Sequence, residues 1–169
     1  MTPAPVLVVG IGSELRGDDG VGPAVARAVQ QACDCGAAAS VPVEVLVVAD
    51  PLDLVDAGAG APLAIVVDAT RGGLDPGTVQ VVELGGTSAV RPPSNLAGRV
   101  RPSSTHALGL VAALDLAKLL GHPPRRTVLV GVEGAEFGPG MGLGPAVADA
   151  VPEAVARVLE LVAEVSPCA

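Results

Sequence analysis

Aromatic side chains are almost missing from this sequence: it holds no tryptophan and no tyrosine, and Phe137 is its sole phenylalanine. Half of the residues are nonetheless hydrophobic, so the core has to be filled by Val, Leu, Ile and Ala. Positive charge is scarce too. Lys118 is the only lysine, and the formal net charge is −8. That balance argues against a nucleic-acid partner, for which a basic footprint is expected, and fits a protein whose copies repel one another. Nor is there an apolar run of about 20 residues, as a membrane-spanning helix needs. Met1–Gly10 lacks the charged n-region of a signal peptide. The expectation is a cytoplasmic protein without a membrane partner.

Cysteine is sparse and odd in number, with Cys33, Cys35 and Cys168, which points to free thiols in a reducing compartment. Cys33-Asp34-Cys35 has no second Cys or His pair to complete a metal site and reads as a polar turn ending the first helix. The usual nucleophile signatures are missing as well: there is no Gly-x-Ser-x-Gly elbow and no His-Glu-x-x-His pair.

What is present is an alternation of short apolar runs with helical patterns, the mark of strands and helices around a parallel sheet. Strands are expected at Pro5–Gly10, Val43–Val48, Leu63–Asp68, Thr78–Leu84 and Arg126–Val132. Helices are expected at Val21–Ala32, briefly at Asp53–Ala57, at Thr105–Leu120 behind a Ser103 or Ser104 cap, and at Gly144–Val165, with Pro152 as a candidate break. The turn Gly72–Gly77 is too short for a helical crossover, so the fourth strand should run antiparallel to the third. With no repeat and no linker, residues 1–169 read as one domain. The fold class is α/β, a three-layer sandwich with a mostly parallel, twisted five-stranded sheet, one strand antiparallel, and helices on both faces.

Gly10-Ile11-Gly12 after the first strand invites a dinucleotide-binding reading, and Asp50 could mimic the ribose-binding acid. However, the third glycine of that fingerprint is replaced by Leu15. Asp18 and Asp19 at the helix start would also repel a pyrophosphate. For Asp18 the simpler account is helix capping. Asp19 has company. Ligands of open α/β sheets bind beyond the carboxyl ends of the parallel strands, and three polar residues should arrive there: Asp19 at the start of the first helix, Asp68 ending the third strand, and His106 in the first turn of the helix after the long loop. Two carboxylates and an imidazole suit a divalent transition metal and leave a position open for water or substrate.

The stretch Gly10-Ile11-Gly12-Ser13-Glu14-Leu15-Arg16-Gly17-Asp18-Asp19-Gly20-Val21-Gly22 resembles the N-terminal signature of the hydrogenase maturation proteases, roughly Gly-(Ile/Val)-Gly-Asn-x-Leu-x-x-Asp-(Asp/Glu)-Gly-x-Gly. Val66–Ala69, Ser104-Thr105-His106 with Gly109-Leu110, Gly131–Gly134 and Gly142–Val147 are similar to later motifs of that family, in the same order. The resemblance implies a metal-dependent endopeptidase that removes the C-terminal extension of a nickel–iron hydrogenase large-subunit precursor after nickel insertion. It also implies that Asp19, Asp68 and His106 recognise the metal and serve catalysis, the metal being nickel carried by the precursor. A nickel-binding chaperone without hydrolysis would use the same residues. Two positions and one segment depart from the family pattern: Ser13 stands for Asn, Gly144 for Ser, and Ala49–Asp53 for a glycine-threonine turn. Between Leu84 and Leu114 there is no acidic residue, while Arg91, Arg99 and Arg101 are present. Beside His106 this makes a local positive patch suited to holding the precursor.

Overall fold

In a computed structural model of the chain, described over residues 4–38, 40–85 and 105–165 with the side chains of 105–108 excepted, the apolar runs become strands and the intervening patterns helices. The order is β1 (Val6–Ile11), α1 (Val21–Asp34), β2 (Val43–Val48), α2 (Leu54–Ala57), β3 (Ala64–Thr70), β4 (Val79–Gly85), α3 (Thr105–Leu119), β5 (Thr127–Glu133) and α4 (Pro145–Glu164). Short 3₁₀ turns at Gly17–Gly20 and Pro51–Asp53 precede α1 and α2. The strands form a five-stranded sheet in the order β2-β1-β3-β5-β4, with only the β4–β5 pair antiparallel.

Alternation along the strands divides the core between two faces. Val6, Val8, Ile65, Val67, Val128 and Val130 pack against α1 and α4, through Val21, Val25, Val29, Val147, Ala154 and Val158. Leu7, Val9, Ile11, Ala64, Val66 and Leu129 face the other way, onto Leu54 of α2 and Leu110 and Leu114 of α3. The expected helix-sheet-helix sandwich is therefore present, and its core is aliphatic.

The fourth strand does run antiparallel to the third, but its hydrogen-bonded neighbour is β5. Burial explains the exchange. Every residue of β5 is buried, whereas β4 alternates between half-buried and exposed. The fully buried, mostly apolar strand belongs inside the sheet and the half-exposed one at its edge. The connection from Thr70 to Val79 crosses two strand spacings, about 10 Å, which leaves the slot into which β5 fits in parallel register with β3, from Ala64↔Thr127 to Thr70↔Glu133.

Helix α4 passes through Pro152 without ending. Pro152 is exposed, so its missing N–H lies on the solvent side while Ala150, Ala154, Val158 and Leu161 keep the buried stripe in place. The Cys33–Cys35 segment is the helix end expected of it. Cys35 follows the last helical residue, and Gly36, with φ +93°, returns its N–H to the Cys33 carbonyl at 2.9 Å.

Helix α1 lies unusually close to the sheet, and glycine makes this possible. A Cβ on Gly22 would collide with the carbonyl oxygen of Ile11 and stand 2.6 Å from that of Val67, while one on Gly10 would strike the Gly22 carbonyl. Gly22 thus supplies the tight helix–strand contact that a dinucleotide fold asks of an earlier glycine. Gly22→Ala should destabilise the protein by about 3 kcal/mol, as overpacking against rigid backbone does. Urea unfolding measures it, and a loss below about 1 kcal/mol would mean that α1 slides freely on the sheet.

Candidate active site

Four acidic side chains are buried at the carboxyl edge of the parallel strands: Asp18 (1% exposed), Asp19 (6%), Asp68 (4%) and Glu133 (3%). Carboxylates are seldom buried to this degree without dedicated partners, and each has a distinct position.

Asp68 continues the series Ala64, Val66, Asp68 on the strand face covered by α2 and α3. Asp19 belongs to the 3₁₀ turn that joins the β1 loop to α1, and this turn rests against β3. The loop folds back over the end of β1. A Cβ on Gly12, whose φ is +133°, would strike the carbonyl oxygen of Asp19, and the Ser13 N–H donates to Asp19 Oδ2 at 2.9 Å. The Ser13 hydroxyl accepts a long bond of 3.4 Å from the Leu15 N–H, so serine does sustain a turn contact here. The backbone of α3 begins at Thr105, which puts residue 106 in the first helical turn. Gly109, one turn later, packs on Pro51 just beyond the carboxyl end of β2. The start of α3 therefore overlies the edge that carries Asp19 and Asp68. The His106 side chain lies outside the described residues, as do Arg91, Arg99 and Arg101. Among the described residues no three His, Cys, Asp or Glu side chains gather as a metal cluster would require.

Asp18 does not cap α1, as the sequence suggested. Among the described residues no side chain caps that helix or the turn before it. Its carboxylate instead crosses to the segment between β5 and α4, where Oδ2 accepts the N–H groups of Ala135 and Glu136, both at 2.8 Å, and Oδ1 accepts that of Gly144 at 2.7 Å. Burial pushes its pKa up, but the three backbone donors outweigh burial and hold it below the ordinary aspartate value. Gly144 suits this arrangement because its N–H, at the N-cap of α4, is already spoken for by Asp18.

Glu133 was not assigned a role by sequence reasoning. Its carboxylate receives Thr70 Oγ1 at 2.9 Å and the N–H groups of Gly72, Gly73 and Leu74 at 2.9, 2.7 and 3.2 Å. It fixes the turn that leaves β3 two residues after Asp68. A signal was available: Glu133 ends an apolar run in the same way that Asp68 does. Asp50, the possible ribose acid, is occupied locally, since its Oδ1 accepts the Leu52 N–H at 2.9 Å and caps the turn before α2.

The two loops beside the carboxylates are stitched together. Arg16 and Gly140 form an isolated parallel bridge, the Gly17 N–H reaches the Gly140 carbonyl at 2.9 Å, and the Gly140 N–H reaches that of Leu15 at 2.9 Å. The guanidinium of Arg71, three residues past Asp68, stacks 3.9 Å above the ring of Phe137. The edge is an acidic one framed by backbone-bonded loops.

A family model described as hydrogenase maturation protease matches residues 47–161. This span includes Asp68 and His106, and Asp19 precedes it. The hydrogenase expression/formation protein HupD of Thiocapsa roseopersicina is 31% identical over 169 residues, an alignment covering 94% of this chain and 68% of that protein. Among solved structures, the hydrogenase maturating endopeptidase HybD from E. coli superposes with a TM-score of 0.73 at 23% identity, over 95% of this chain and 93% of that one. A solution structure of an endopeptidase from Escherichia coli superposes with a TM-score of 0.74 at 27% identity and the same coverage.

Proposed function

Given that the chain belongs to the hydrogenase maturation protease family, we propose that it removes the C-terminal extension of a nickel–iron hydrogenase large-subunit precursor, in the cytoplasm, once nickel has been inserted. Asp19, Asp68 and His106 are the residues that read the metal and carry the cleavage. The observation that carries this reading is Asp68, a buried carboxylate that follows four buried apolar residues of β3. It lies two residues before the strand ends at Thr70, not at its end as the sequence suggested, on the face shared with α3 and beside the turn that holds Asp19. A maturation protease is a hydrolase, and a buried acid at the ligand-binding edge of an α/β sheet is what hydrolysis can use.

The donor types fit nickel, since carboxylate oxygen and imidazole nitrogen both suit it. In this reading the nickel arrives in the precursor and is part of the substrate. When bound, it supplies Lewis acidity toward the scissile carbonyl or an attached water. Asp19 and Asp68 divide the remaining work, one holding the metal and the other taking the proton of the attacking water. Water oxygen joins the carbonyl carbon, the carbon–nitrogen bond breaks, and the proton passes to the departing amine. The buried setting keeps bulk water from competing for the carboxylates. Arg91, Arg99 and Arg101, which precede α3 in the sequence, help to hold the precursor.

The decisive experiment incubates the protein with nickel-loaded and with nickel-free precursor and follows the large subunit by mass spectrometry. Loss of the C-terminal peptide is expected from the nickel-loaded form alone. Tight binding without a mass change would favour a chaperone or checkpoint, and equal cutting of both forms would remove nickel recognition from the function.

A further inference from the structure

Leu15 and Met141 are 64% and 81% exposed, yet both sit on a rigid part of the site's rim. They flank the Arg16–Gly140 bridge, with Leu15 contributing its carbonyl to the Gly140 N–H. Leu15 is also two residues from the amide that binds Asp19, while the loop of Met141 is held by the Asp18 carboxylate at Ala135, Glu136 and Gly144. Isolated exposed apolar residues are common on protein surfaces. Two large ones held on either side of one bridge, in the loops that carry Asp18 and Asp19, offer apolar surface beside the buried acids.

We propose that Leu15 and Met141 are specificity-determining residues that seat an apolar side chain of the precursor segment entering the site, an inference that rests on the proposed peptidase function. Charge and burial together favour this chemistry. With a net charge of −8 an acidic segment would be repelled. Asp18 and Asp19 are buried and already accept backbone N–H groups, so they offer a basic segment no exposed ion-pair partner. An apolar side chain, by contrast, covers Leu15 and Met141 without an electrostatic cost. Rigidity favours it too. The bridge and the Asp18 hydrogen bonds have already ordered both loops, so little conformational entropy is lost when the peptide docks. Covering each side chain is worth about tenfold in affinity.

The test compares Leu15→Ser, Met141→Ser and the double variant with Leu119→Ser, a control at an 84% exposed position near the end of α3. Dissociation constants for the nickel-loaded precursor and KM and kcat for its cleavage are measured, with melting temperatures as a check on folding. Each single variant is expected to raise Kd and KM about tenfold, and the double variant more, with kcat within about twofold of wild type. Leu15→Met should restore binding. Unchanged Kd and KM in the double variant, or an equal loss in Leu119→Ser, would overturn the proposal while leaving the peptidase function intact. If wild type binds the precursor without cutting it, the peptidase reading fails, and the Kd series still decides the role of Leu15 and Met141. A wild type that neither binds nor cuts overturns both.

Discussion

Asp68→Asn is expected to lower kcat/KM for precursor processing by at least about a thousandfold, the combined loss of a general base or metal ligand. Stability should move by less than about 2 kcal/mol, because asparagine keeps the volume and one acceptor oxygen of a side chain buried on β3. The substitution removes charge and little else, so it separates chemistry from packing. It also apportions roles that geometry leaves open between Asp68 and Asp19. Intact binding of nickel-loaded precursor with collapsed kcat would assign Asp68 to proton transfer. Weakened binding of the nickel-loaded form alone would assign it to the metal. Wild-type turnover with a folded variant would take Asp68 out of the mechanism.

The largest effect on stability is expected from Asp18→Ala. The carboxylate satisfies three backbone N–H groups, those of Ala135, Glu136 and Gly144. Each donor left buried and unmet costs about 1–3 kcal/mol, so a loss of roughly 3–6 kcal/mol follows if solvent fills the site only in part. The effect must depend on pH with a definite sign. Asp18 has a lowered pKa in the folded protein, so its contribution is complete above the unfolded aspartate pKa of about 4 and is lost as pH falls through the lower folded value. Urea unfolding of wild type and variant from neutral to acid pH should therefore give a constant difference above about pH 4 and a shrinking one below it. A difference that persists unchanged at the acid limit would show that the role of Asp18 is packing, not charge.

Asp18 also marks where sequence reasoning reached its limit. An aspartate just before a helix is what capping and dipole compensation look like locally, and nothing near it in the chain says otherwise. Its partners begin at Ala135, 117 residues away. Glu133 poses the same difficulty, since its turn donors at Gly72 and Gly73 are 61 and 60 residues distant. By contrast, the strands, the fold class and the buried acid near the carboxyl end of β3 could be read from local pattern, because five apolar residues followed by Asp68 describe an interior strand reaching the sheet edge, although β3 continues two residues further to Thr70. Direction was legible for β4 and neighbourhood was not. The glycine turn after β3 dictates a reversal, but the choice of neighbour depends on how β4 and β5 compete for the interior of the sheet, which is a property of the whole fold. For His106 the helix start agrees with the sequence reading, and the side chain lies outside the described residues.

The insertion of β5 between β3 and β4 also governs when the protein becomes competent. On a ribosome, β1 to β4 emerge first, yet among the described residues the strand that pairs with β4 is β5, residues 127–133. The segment that satisfies Asp18 is made later still. Such non-local closure makes for slow, late assembly. A nascent or truncated chain that stops before residue 127 thus carries Asp19 and Asp68 without the strand that pairs with β3 and without the donors that hold Asp18.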